Sequence, residues 1–236
     1  MALSGCSRRS AAPIHTRKPP NLQLTRTRNS VVRKPLEIIR TNLRAYLVIN
    51  AVIYGLVVLG FVLGLIFPNL NQAQVDRLDD GGTTDLVLSL LENAWLFALV
   101  IFSINTFRVS LLSIILPSLI IPFAGIAFFA YSTFIIGLTL APADDAGWIA
   151  LIPHSLTVII EFQAYVIFVL GAYLHGKFWL RPQTIGAVNR RQGYLRGLQH
   201  IGWLAIPGVA LLVIGALYES FSLIYIALPW VNSLGL

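Results

Sequence analysis

Between residues 153 and 176 the chain reads PHSLTVIIEFQAYVIFVLGAYLHG, an apolar run with a histidine at its start and a glutamate inside it. About 20 predominantly apolar residues are enough to cross a bilayer as a helix. His154 and Glu161 lie seven positions apart, about two helical turns, so they share a face about 10 Å apart along the axis. An ionisable side chain at that depth costs roughly 3 kcal/mol in hydrocarbon. A chain that keeps it must supply a partner from within the protein or its complex.

The run is one of several. Of 236 residues, 56% are hydrophobic and only 11% are charged, against about 25% charged in soluble domains, and the mean hydropathy is +0.76. These values predict an all-α, polytopic membrane protein. Its apolar stretches give about five transmembrane helices, at residues 45–67, 88–107, 119–140, 152–176 and 202–228. Residues 86–140 are too long for one crossing, and Asn105, Arg108, Pro117 and Pro122 interrupt them. Residues 109–118 are therefore expected to lie at the interface or to re-enter the membrane, where irregular backbone must be covered by protein. A single cysteine, Cys6, excludes an intrachain disulfide and any multi-cysteine metal or redox motif.

Charge is segregated along the chain. Residues 1–36 hold Arg8, Arg9, Arg17, Lys18, Arg26, Arg28, Arg33 and Lys34 and no acid. Rich also in Ser, Thr, Pro and Asn, they read as a disordered, solvated cytoplasmic tail, or as an arm that docks on a partner. Leu3-Ser4-Gly5-Cys6 resembles a lipobox and Arg8-Arg9 a twin-arginine signal, but neither is followed by an apolar h-region. The acid-free, Arg/Ser-rich start also resembles an organellar transit peptide.

Residues 37–44 can form an interfacial amphipathic helix, which leaves 45–236 as the membrane domain. The loop after the fourth run holds Lys177, Arg181, Arg190, Arg191 and Arg196, whereas the loops at 69–85 and 141–150 are acidic. Under the positive-inside rule five spans then place the amino terminus in the cytoplasm and the carboxyl terminus outside. The basic segments suit acidic partners or lipid headgroups. Without aromatic interleaving on a folded surface they do not suggest nucleic-acid binding.

In the first span Gly60 and Gly64, extended by Gly55, form a small-residue groove of the kind that lets helices approach closely. The topology sets Glu161 and Glu219 at one depth on consecutive antiparallel helices, with His154 above them and Glu92 opening the second span on the same side. Asn105 and Arg108 then fall near the inner face, out of reach of Glu161. Three readings of this cluster stay open. The carboxyls lock helices together through hydrogen bonds, with Tyr165, Tyr218, Gln163 or Ser220 as partners; or they form a proton or ion pathway; or they serve a metal or catalytic site. The last has least behind it. HExxH, GxSxG, Gly-rich phosphate loops and Ser–Lys pairs at helical spacing are all missing from the sequence, so neither a catalytic residue nor a metal or cofactor is expected.

At these positions the chain resembles the stage II sporulation protein M family of bacterial integral membrane proteins. The resemblance rests on Asn105-Thr106-Phe107-Arg108, on Pro153-His154 followed by Glu161-Phe162-Gln163-Ala164, and on Leu217-Tyr218-Glu219-Ser220-Phe221. It covers about residues 90–228. Ser155 stands where that family typically has glycine, and the histidine-to-glutamate gap is seven rather than four. The resemblance implies a non-enzymatic membrane scaffold or accessory subunit in the bacterial inner membrane, working with other subunits of a complex. An organellar inner membrane is the alternative site. The alternative function is a transporter or proton pathway that uses Glu161 and Glu219.

Overall fold

The computed structural model describes residues 32–235, which are helical almost throughout and contain no strand. The basic positions Arg8, Arg9, Arg17, Lys18, Arg26 and Arg28, with most of the 1–36 tail, lie outside the described residues.

The chain enters as α1 (32–41), bends at Asn42 and continues as α2 (Leu43–Ile66). Residues 37–44 straddle this bend, 37–41 closing α1 and 43–44 opening α2. The Asn42 backbone N–H still reaches the Ile38 and Ile39 carbonyls, and its side-chain amide donates to Ile38 O at 2.9 Å. The helix thus bends without losing its ladder. Ile38 and Ile39 pack on Leu170, Leu174, Phe178 and Leu204, which ties α1 to the centre of the bundle.

The acidic stretch after α2 is not a loop. It forms α3 (Pro68–Asp80) and α4 (Thr83–Leu90), parted by Gly82 at φ 71°. Pro68 opens α3 at a first-turn position, where no N–H is needed. Asn71 is buried and donates to Leu138 O at 2.8 Å and Ala141 O at 3.0 Å. It satisfies carbonyls that the end of a neighbouring helix leaves free.

Next, α5 (Ala94–Ile120) runs 27 residues without the interfacial break expected at 109–118. Asn93 caps it through Trp95 N and Leu96 N, both at 3.1 Å. The suspected break is a widened helix instead, with π-type bonding over Ile104–Ile115. The Ser110 and Ser113 hydroxyls donate to the carbonyls five residues before them, Asn105 O at 2.8 Å and Arg108 O at 2.9 Å. Pro117 supplies no N–H to the carbonyls of the preceding turn. The ladder is thereby shifted by one residue while every backbone group stays within a helix, as a bilayer requires.

A tight reversal at Ile121–Phe123, with Phe123 at φ 69°, leads into α6 (Ala124–Thr139). Its 16 residues rise about 24 Å, short of the roughly 30 Å hydrocarbon core. Four helices, α2, α5, α7 (Asp145–Leu180) and α8 (Arg190–Ser233), are long and apolar enough to cross a membrane. The expected third span is thus a shorter helix that starts later, because Pro122 and the reversal take up residues 121–123.

Helix α7 begins where Asp144 accepts from Gly147 N at 2.7 Å; α8 begins where Asn189 accepts from Gln192 N at 2.9 Å. Both extend beyond the apolar runs that suggested them. A connection at 181–189, with a short 3-10 turn at Pro182–Ile185, replaces the long basic loop. The two helices pack antiparallel along most of their length, His175 against Gly197, Phe168 against Gly208 and Glu161 against Gly215. Residues 164–172 of α7 are buried on every face, so α7 is the axis around which the other helices stand.

Helices α2 and α6 run parallel and touch through glycine. Gly60 lies against the backbone of Phe134 and Leu138, Gly64 against Leu138 and Ala141, and Gly137 against Val57. Any Cβ at these positions would meet backbone, which cannot move aside cheaply. Gly55 is exposed with open space beside it and does not extend this contact.

Candidate functional site: carboxylates between α5, α7 and α8

On α7 the residues His154, Thr157 and Glu161 recur at helical spacing and face α8. Pro153 is buried one position before them and is tolerated inside the helix. The two carboxylates of the cluster are staggered rather than level. Glu161 lies over Gly215, whose missing side chain makes room for it: a Cβ there would come within 2.8 Å of Glu161 Cγ. Glu219, one turn further along α8, faces His154, with Oε1 at 3.7 Å from Nδ1.

The group that answers Glu161 is Asn105. Its Nδ2 donates to Glu161 Oε1 at 2.5 Å. The expectation that Asn105 sits near the inner face, out of reach, is therefore wrong. It assumed that the second span ended at 107; in the continuous, widened α5, Asn105 falls mid-helix and turns toward α7.

The other expected partners go elsewhere. Tyr165 is buried against Phe129 and Phe162, with ring centroids 5.2 and 5.6 Å away. The Ser220 hydroxyl donates to Ala94 O at 2.6 Å, tying α8 to the start of α5. Glu92 is exposed in the turn before α5 and is not brought into the cluster. Arg108 is exposed on α5, away from Glu161.

Two features that the sequence did not signal complete the site. Thr157 is buried with its hydroxyl unpaired. A second widened stretch, Leu223–Ala227 of α8, begins just past Glu219. Between it and α7 lies a void of about 30 Å³, lined by Ala150, Pro153, His154, Glu219, Ser222, Leu223 and Ala227, about the volume of one water molecule. Both carboxylates are thus flanked by departures from regular helix, features that recur at functional sites.

Gln163, on the opposite flank of α7, makes a separate polar contact with α2. Its carbonyl accepts from Tyr46 Oη at 2.8 Å, and its amide donates to Asn50 Oδ1 at 2.8 Å and Tyr54 Oη at 3.0 Å. Tyr54 donates onward to Ile159 O at 3.1 Å. The sequence signal was present in Tyr46, Asn50 and Tyr54, spaced four apart on one face of α2.

Among the described residues, the other two histidines, His175 and His200, join neither group. His175 is fully buried, edge-on to Tyr194 at 4.6 Å, while His200 sits against Phe178 at 5.1 Å. Among the described residues no three His, Cys, Asp or Glu side chains stand close enough to hold a metal ion. Of the basic positions that are described, Arg33, Arg190 and Arg191 are exposed, and Lys34 lies over the Trp203 ring at 5.0 Å. Comparison with protein-family models, with curated proteins and with solved structures finds no match for this chain.

Proposed function

We propose that the chain is a non-enzymatic integral membrane subunit of a larger complex. In this reading α6 serves as a short fifth span, the amino terminus is cytoplasmic, and the protein belongs to a bacterial inner membrane, as its resemblance to sporulation protein M implies. The observation that carries the reading is Arg108. It stands exposed halfway along α5, among Ile104, Phe107, Leu111 and Leu112, which are exposed as well. An arginine facing hydrocarbon is costly, and such residues almost always face a bundle interior or pair with an opposite charge. A neighbouring helix that carries a carboxylate would complete this face.

The test is a pull-down of the full chain from native membranes in mild detergent, read by mass spectrometry. Wild type should bring down a stoichiometric membrane partner, and Arg108→Gln should lose it while keeping its own melting temperature. Recovery of the protein alone, or an equal yield of partner with both proteins, overturns the proposal.

A second reading, proton or ion passage, has its own support. Glu161 has one hydrogen-bond donor, Glu219 faces a histidine at 3.7 Å, and a small pocket adjoins Glu219 and that histidine. Flux into proteoliposomes that is lost in Glu161→Gln would favour it. No flux through the wild-type protein removes it.

A further inference from the structure

At the end of the bundle where α1 meets α2, a cleft of about 580 Å³ opens between α2, α6 and α7. Thr41 and Asn42, at the bend between α1 and α2, line it, while Lys34 of α1 lies over Trp203 of α8. The cleft is also lined by Arg44, Lys177 and Tyr173 and, one turn further along α2 and on α6, by the apolar Val48, Ile49 and Ile126. Its volume is that of a ligand site, in the range of about 300–1,000 Å³.

Charge decides what fits. Arg44 comes from α2 and Lys177 from α7, and among the described residues neither is paired with a carboxylate. No Asp or Glu lines the cleft, and residues 1–36 contain none to supply. Two cations from different helices, a phenol beside them and an apolar wall leading away along a membrane helix match an amphiphile with an anionic head. A soluble anion would leave the wall unused; a zwitterionic lipid would set a positive group among the cations. Basic pockets between membrane helices are known to hold acidic lipid headgroups.

We propose that this cleft is a binding site for an anionic phospholipid, its phosphate between Arg44 and Lys177 and one acyl chain along Val48, Ile49 and Ile126. The site shares no residue with the carboxylate cluster and does not depend on the protein's having a partner subunit.

Native mass spectrometry of the full-length protein in detergent, titrated with phosphatidylglycerol or phosphatidylcholine, tests it. Wild type should retain phosphatidylglycerol at least tenfold more tightly than phosphatidylcholine. Arg44→Gln with Lys177→Gln should erase that preference. Val48→Trp, an exposed change that alters no charge, should weaken retention of phosphatidylglycerol by filling the cleft, and it keeps the test usable if the double variant does not fold. Arg77→Gln, an exposed cation on α3 that does not line the cleft, should leave retention unchanged. Any of four results overturns the proposal: equal affinity for the two lipids in wild type, a preference that persists in the Arg44/Lys177 variant, equal loss in the Arg77 variant, or binding of soluble glycerol phosphate as tight as that of the lipid.

Discussion

Helix α7 carries two polar contacts on opposite flanks, and they are satisfied to different degrees. At Gln163 both amide hydrogens and the carbonyl are engaged by α2, and the hydroxyl of Tyr54 passes the chain on to Ile159 O. At Glu161 and Glu219, two carboxyl groups with four oxygens between them receive one asparagine donor and one histidine at 3.7 Å. The unpaired Thr157 hydroxyl lies along the same face. The neutral network at Gln163 is a joint: breaking it orphans several groups at once. The carboxylate set keeps capacity in reserve. That reserve is what an exchange of protons or ions would need, and what a purely mechanical joint would lack.

The contrast can be broken most forcefully at Gln163. Replacing it with Leu strands Asn50 and the Tyr46 hydroxyl, at a cost of about 1–3 kcal/mol, so thermal unfolding in detergent should show a clear fall in Tm. A Gln163→Leu protein that melts like wild type would mean that the α2 network is not a joint.

Glu161→Ala removes the acceptor of Asn105, and a loss of roughly 1–2 kcal/mol is expected, with reduced yield in membranes. Glu161→Gln keeps an oxygen for Asn105 and should cost under about 0.5 kcal/mol, so any functional loss there reports on the loss of the titratable group. If the Gln variant melts as low as the Ala variant, the carboxylate itself holds the fold and the contrast with Gln163 disappears.

Gly215→Ala places a Cβ 2.8 Å from Glu161 Cγ and must displace that side chain, at about 1 kcal/mol. It should reproduce the functional phenotype of Glu161→Ala without touching the acid. The smallest effect is expected at His154. Its side chain is 37% exposed, and the loss of a partly solvated pair at 3.7 Å should cost no more than about 0.5 kcal/mol. A larger drop in Tm for His154→Ala would place the histidine in the core of the cluster.

Much of this architecture is legible from the residues themselves. Hydropathy over windows of about 20 residues depends only on what each residue is, so a helical membrane protein follows from composition, and the first span, at 45–67, differs by a residue or two from α2. The weak points were interruptions. Asn105, Arg108 and Pro117 read locally as a break; only the fold shows that two serine hydroxyls and a one-residue shift in the ladder carry the helix through them. The acidic stretch at 69–85 read as a loop because it is polar, but polarity does not forbid a helix that leans on its neighbours through Asn71.

The candidate site divides along the same line. His154, Glu161 and Glu219 stand out because an ionisable residue in an apolar run is anomalous on sight. Their partners do not, because who faces whom depends on the rotation and axial register of separate helices. Those are settled by side-chain volume and close approach, with Gly215 making room for Glu161, glycines seating α6 on α2, and a widened turn aiming Asn105 at α7. Such relations join residues as far apart as 105 and 161, and a helical period reports only on neighbours within a few turns.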